Sequence, residues 1–265
     1  MRVLVTGAGG GIGRAIAVRL AGDARARGEE AAFALVDLRP GGALEETAEA
    51  MKGAGGSVSS FAGNLADPAV PGRLVEQAVE AMGGLDVLVS NAGVNAPGRL
   101  KDLPLEDWDR VFAVNTRPTW LMAKAAYPHL KASRGVVVSI ASMSGMQPHT
   151  GLGAYSASKA ALIILTKQIA QEWAADGIRA NSVSPGFVES PMTADLYADP
   201  AVRSSREAYV PLGRIAQPDD IAAVVAFLVG PDARYVTGQN ILTDGGLCDS
   251  ILDKTPGRPS AGPKA

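Results

Sequence analysis

The chain has 265 residues, 47% of them hydrophobic, and a formal net charge of −2, which is material for one large α/β domain or two small ones. So balanced a charge gives no basic field for nucleic acid or an anionic membrane, and no apolar run approaches the roughly 18 residues of a membrane span. The single cysteine, Cys248, excludes an intramolecular disulfide and fits a reducing compartment.

The chain opens directly on the strand pattern MRVLVTG, with no room for a charged and apolar leader, so the expected location is the cytoplasm. Residues 3–5 form a short apolar run that stops at Thr6-Gly7-Ala8-Gly9-Gly10-Gly11-Ile12-Gly13, and residues 14–20 then take up helical periodicity. Strand, glycine turn and helix in that order bring backbone amides at a helix N-terminus up to a pyrophosphate without side chains in the way. The glycines are spaced G-x-x-x-G-x-G at Gly7, Gly11 and Gly13. A second apolar run, 31–36, ends in Asp37. A carboxylate there accepts both hydroxyls of an adenosine ribose and repels a 2′-phosphate. NAD is therefore expected over NADP, with Arg39 softening the repulsion.

From here strands and helices alternate. Residues 57–61 read as a strand, 70–82 as a helix closed by Gly83-Gly84, and 85–89 as a buried strand leading to Asn91-Ala92-Gly93. A helix over 108–114 reaches Asn115, and a long segment follows over 120–131. Residues 136–140 are a strand, 155–175 a helix and 178–183 a strand running into Pro185-Gly186; 221–229 is one more helix and 240–242 a last short strand. Repeated units of this length imply one doubly wound α/β domain, a parallel sheet with helices on both faces and ligands at the carboxyl ends of its strands. That domain is expected over 1–252. Within it, residues 191–211, rich in proline and charge, read as a cover over the site. The tail 253–265 is too poor in apolar residues to join a core, so it is flexible or leans on a neighbour.

The chemistry concentrates in residues 142–159, SMSGMQPHTGLGAYSASK. Lys159 stands one helical turn after Tyr155 on the same face, and Ser142 follows the end of the 136–140 strand. A free tyrosine, with a pKa near 10, is a poor base at neutral pH. An ammonium about 4.5 Å away at an effective dielectric near 20 favours the phenolate by roughly 3 to 4 kcal/mol before desolvation is subtracted. Tyr155 is then suited to proton exchange at a carbinol or carbonyl oxygen, with Ser142 donating a hydrogen bond to that oxygen. Cys248 and His129 read as structural, His149 as a satisfied loop histidine ahead of a substrate contact, Met143, Met146 and Met192 as an adaptable apolar wall, and Asn95 and Gln147 as further polar contacts. Asp86, Asp107 and Asp109 lie on separate turns with no Cys or His cluster, so no metal is expected.

Taken together, Thr6-Gly7-x-x-x-Gly11-x-Gly13, Asp37, Asn91-Ala92-Gly93, Asn115, Ser142, Tyr155-x-x-x-Lys159, Asn181-Ser-Val-Ser-Pro185-Gly186 and Asp244-Gly245-Gly246 resemble, in the same order, the motifs of the compact short-chain dehydrogenases/reductases. The likeness covers nearly the whole chain and implies a Rossmann-type fold. It further implies hydride transfer between NAD(H) and a secondary alcohol or ketone, with Tyr155 as acid/base. In that scheme Lys159 holds the nicotinamide ribose and lowers the Tyr155 pKa, while Asn115, breaking its helix, anchors a water leading from Lys159 to solvent. Val188 and Ser190, after Pro185-Gly186, resemble the pair that holds the carboxamide. Asn91 and Gly93 are expected on the adenosine-ribose side, with Ile12 and Leu65 also at the dinucleotide. Asn64 stands where many members carry an aspartate that accepts from adenine, and Ser190 where they carry threonine. The family suggests a homotetramer or homodimer formed through the helices of Trp120 and Tyr155. The alternatives set beside this reading are an NADPH-dependent 3-oxoacyl reductase of the same fold and a non-catalytic dinucleotide-sensing module.

Overall fold

A computed structural model describes residues 1–52, 57–250 and 252. Its seven strands are β1 (Arg2–Thr6), β2 (Ala32–Asp37), β3 (Ser57–Ala62), β4 (Val87–Ser90), β5 (Val136–Ile140), β6 (Arg179–Pro185) and β7 (Asn240–Thr243). All pair in parallel, in the order β3-β2-β1-β4-β5-β6-β7. The α-helices are α1 (Gly11–Ala26), α2 (Ala43–Lys52), α3 (Val70–Met82), α4 (Leu105–Asn115), α5 (Arg117–Ser133), α6 (Tyr155–Trp173), α7 (Ala194–Tyr197), α8 (Pro200–Tyr209) and α9 (Pro218–Val229). This is the doubly wound α/β fold expected from the alternation. The chain builds outward from β1 to β3, then returns to lay β4 on the other side of β1, and the crevice for a ligand opens at that reversal.

Strand periodicity decides what each face buries. Val3, Val5, Phe33, Leu35, Val87 and Val89 pack with Ile16 and Leu20 of α1 and Ile221 and Val225 of α9. Their neighbours Leu4, Val36, Leu88 and Val137 join Leu74 of α3, Met122 and Leu130 of α5 and Ile169 of α6 on the other face. Both faces of the central strands are therefore dry, which is why β4 and β5 are buried at every residue.

Three elements differ from the sequence expectation. Helix α2 is absent from it because its buried positions are only Leu44, Thr47 and Met51 among glutamates. The segment 191–211 is more ordered than a plain cover, since Pro200 opens α8 and the Asp199 side chain caps it by accepting from Ala201 N–H at 2.8 Å. Helices α4 and α5 start earlier than their apolar residues suggest and are separated at Thr116, whose φ of −122° and ψ of −56° leave the helical region. Pro118, in the first turn of α5, favours that break, because its ring would strike the carbonyl of Val114 in a straight continuous helix. The 253–265 tail lies outside the described residues.

Candidate active site

The site grows from the carboxyl ends of β1, β4, β5 and β6. After β1 the chain turns through Gly7 and Gly11, at φ of 65° and 50°, into α1. Gly13 is fixed by close approach: a Cβ there would lie 2.1 Å from the Gly7 carbonyl oxygen. Across the sheet reversal, Asn91 Nδ2 donates to the carbonyls of Thr6 at 2.9 Å and Gly7 at 3.2 Å, while Thr6 Oγ1 accepts from Asn91 N–H at 2.9 Å. Asp37, at the end of β2, accepts from Gly9 N–H at 2.8 Å and Leu38 N–H at 2.7 Å, so its negative charge is pinned beside the turn. The start of α1 has no side-chain cap and no acidic residue in its first turn, which leaves its amides directed at an anion. A glycine turn packed tightly at Gly13, an uncapped helix start and a carboxylate pinned at the end of β2 fit a dinucleotide.

Tyr155 opens α6 and Lys159 follows one turn later. The buried Lys159 ammonium donates to the Ile140 carbonyl, at the end of β5, at 2.8 Å and lies 5.8 Å from the Tyr155 ring centroid. Gly145 lets the Ser142 loop close onto this helix, since a Cβ there would stand 2.8 Å from the backbone carbon of Lys159. Ser142 is buried, and its Oγ, which accepts from Ser144 N–H at 3.1 Å, stands near the Tyr155 side chain. Asn115 ends α4 and is buried. Its Nδ2 donates to Ser158 Oγ and to the Val94 carbonyl, both at 3.0 Å, and its Oδ1 accepts from Val94 N–H at 2.8 Å. Ser158 Oγ in turn donates to the Tyr155 carbonyl at 2.7 Å.

The electrostatics correct one expectation. Burial pushes the Tyr155 phenol above its usual value, with the Ser142 hydrogen bond opposing, and burial pulls Lys159 down to about 8. The Lys159 ammonium is buried and tied to a carbonyl, and for the half-buried Tyr155 desolvation outweighs the opposing effect of Ser142.

Beyond β6, Pro185-Gly186 packs against Asp244: a Cβ on Gly186 would lie 2.6 Å from Asp244 Cβ. The Thr193 hydroxyl ties the next segment together, donating to the Val188 carbonyl at 2.8 Å and accepting from Ser190 N–H at 3.0 Å. Pro191 rests on the glycine turn, its Cδ 3.0 Å from where a Gly11 Cβ would be.

The family model described as enoyl-(acyl carrier protein) reductase matches residues 7–248. A (3R)-3-hydroxyacyl-CoA dehydrogenase from Rattus norvegicus is 40% identical over 255 residues, covering 92% of this chain and 95% of that protein. Dehydrogenase/reductase SDR family member 4 from Bos taurus is 37% identical over 245 residues, covering 92% and 85%. The chain belongs to the short-chain dehydrogenase/reductase family. Among solved structures, this short-chain dehydrogenase/reductase is similar to a candidate 2-deoxy-d-gluconate 3-dehydrogenase from Agrobacterium tumefaciens with bound NADP, at a TM-score of 0.83 and 33% identity over 93% of this chain and 96% of that one. Its own reaction class is thereby that of a nicotinamide-dependent oxidoreductase acting on CH–OH groups.

Within this short-chain dehydrogenase/reductase, the structure adds contacts that the sequence did not specify. The Asn91 amide clamps the turn's carbonyls. Gly93 stands at the Lys159 end, its added Cβ 3.4 Å from both Lys159 Nζ and Asn115 Oδ1. Asn64 Oδ1 accepts from Ala66 N–H at 3.0 Å, so part of the capacity assigned to adenine goes to its own turn, while Leu65 beside it is buried. Met146 is half exposed, its sulfur 3.0 Å from Asn240 Nδ2. Asp86 is held by Arg2 and Asp107 by Arg110, and no metal-binding group of His, Cys, Asp and Glu forms among the described residues. Burial, with Asp244 adding to it, pushes the Cys248 thiol up to about 12, which leaves it protonated and inert. Thr6 appeared in the sequence reading only as part of the glycine motif, and Ser158, Thr193 and Gly145 were given no role there; they act on partners that the fold alone brings near.

Proposed function

We propose that this chain interconverts a secondary carbinol and its ketone with NAD(H), and that Tyr155 carries the hydroxyl proton. One observation carries the reading: Tyr155 stands one helical turn from the buried Lys159, whose ammonium is 5.8 Å from its ring centroid, with the buried Ser142 just after β5 and, along the same sheet edge, an uncapped glycine turn. Gly7, Gly11, Ile12 and Gly13 hold the pyrophosphate, Asp37 the adenosine ribose, and Asn64 and Leu65 the adenine side. Asn91 and Gly93 brace the crevice between the two halves of the cofactor. Tyr155 and Lys159 take the second ribose, and Pro185, Gly186, Val188 and Ser190 the carboxamide. When bound, the nicotinamide supplies the two-electron acceptor for the hydrogen leaving the carbinol carbon.

Ser142 donates to the substrate oxygen and fixes the carbon it carries. In oxidation Tyr155 accepts the hydroxyl proton as the carbonyl forms; in reduction it returns it. The raised phenol makes Tyr155 a ready donor, so reduction runs from its resting form and oxidation first requires the proton to leave. Lys159 and the helix break at Asn115 provide that route to solvent. The Asp37 carboxylate beside Gly9 supports NAD over NADP, because a 2′-phosphate would be brought against it. Exposed Trp120 and Ile164 on α5 and α6 support self-association as a homodimer or homotetramer, and the single cysteine supports a cytoplasmic setting.

Purified protein incubated with NAD and a panel of secondary alcohols is expected to form reduced nicotinamide, followed by near-ultraviolet absorbance, and NADP is expected to serve less well. Tyr155→Phe should lower turnover by at least about 10²-fold while dinucleotide affinity, titrated by fluorescence, persists. Turnover in that variant at the unmutated rate refutes the role given to Tyr155.

A further inference from the structure

The cover carries a cation whose neighbours are aromatic rings. The Arg206 guanidinium on α8 lies 4.6 Å from the Phe187 ring centroid and 5.7 Å from that of Tyr197 on α7. Arg203, on the same helix, is paired with both Glu189 and Glu207. Arg206 makes no ion pair among the described residues. Beside it, the Tyr197 side chain is only 8% exposed, and its hydroxyl is buried without a hydrogen-bond partner.

Both stand against the segment that leaves β6. Phe187 directly follows Pro185-Gly186, and His149, which stands between Ser142 and Tyr155, places its Nδ1 3.3 Å from Ser144 Oγ. Burial, and after it the charge of Arg206, holds the His149 imidazole below its usual range, so the field of Arg206 reaches this loop and His149 brings no second positive charge. Ser144 N–H in turn donates to Ser142 Oγ at 3.1 Å.

We infer that Arg206 and Tyr197 form a subsite for a substrate carboxylate, so that the carbinol this enzyme oxidises is that of a secondary hydroxy acid. This rests on the oxidoreductase reading above and narrows its substrate class. A guanidinium lying on ring faces keeps its in-plane N–H groups available for a two-pronged carboxylate contact. The Tyr197 hydroxyl supplies a further donor, one that a neutral substrate would leave buried and unsatisfied. A single cation matches the single charge of a carboxylate better than a phosphate dianion.

The test compares short secondary hydroxy acids with their methyl esters, by kcat/KM with NAD and by calorimetric binding of the acid to protein saturated with NADH. The acid should be preferred by about 30-fold or more in kcat/KM, the preference should collapse towards unity in Arg206→Gln, and Tyr197→Phe should lose part of it. Arg206→Lys should recover some of the preference, and acid binding to the NADH complex should weaken in parallel with it. Equal use of acid and ester, an equal fall for both in Arg206→Gln, or phosphate competing as strongly as carboxylate overturns the subsite. If alcohols are oxidised without acid preference, the oxidoreductase reading stands and the subsite falls. Arg206-dependent acid binding without turnover of any alcohol sustains the subsite and sinks the oxidoreductase reading.

Discussion

Lys159 is the side chain in which structure and chemistry pull hardest against each other. An ammonium that is 3% exposed and bound to one carbonyl is held down to about 8 from its ordinary 10.5. Between those values the denatured chain binds more protons than the folded one, so the burial penalty present at neutral pH is relieved as pH rises through 8. The urea midpoint of the ligand-free protein should therefore climb between about pH 8 and pH 10 relative to Lys159→Met, before the tyrosines of the denatured chain ionise. Parallel profiles for the two proteins would mean that the amine is hydrated. The raised Tyr155 phenol gives a companion expectation: carbinol oxidation should accelerate with pH into the alkaline range, and ketone reduction should slow. Tyr155, Lys159 and Ser142 were legible in the sequence because a helical turn and a strand end fix their relative positions. The direction of the Tyr155 shift was not, because desolvation depends on what the rest of the fold stacks over the phenol.

Among the elements, the junction of β1 and α1 is the most sharply specified. The Gly13 Cα sits so near the Gly7 carbonyl that even a methyl group cannot enter without moving backbone, and the Asn91 clamp resists that movement. Gly13→Ala is expected to lower dinucleotide affinity by at least about 10-fold and to depress the melting temperature, since a core-type overpacking costs about 1–3 kcal/mol; calorimetry and fluorescence titration on the same preparation check both. The glycine spacing announced this turn in advance. Helix α2 gave no comparable signal, because three buried positions among glutamates do not stand out from a solvated loop. The cover was readable as an interruption, but its pairing of Arg203 with Glu189, and of Glu189 with Gln217 at 2.8 Å, joins residues from three separate stretches and leaves no local trace.

For the molecule as a whole, alternation of strand and helix was enough to foresee a parallel sheet covered on both faces, and the position of each motif after a strand placed the suspicious residues along one edge. The strand order could not be read locally, because it depends on where the chain reverses. That reversal brings Asn91 against Thr6 and thereby assembles the crevice from distant parts of the sequence. One contact made there governs traffic. Pro191, at the start of the 191–211 segment, leans on Gly10 and Gly11, where the proposed dinucleotide site opens. On the proposed cofactor site, a dinucleotide would have to move this strap before the alcohol's compartment is complete, so the nucleotide should arrive first and depart last. Reduced dinucleotide should then inhibit competitively against NAD, and the ketone non-competitively against NAD, as in a compulsory sequence of binding.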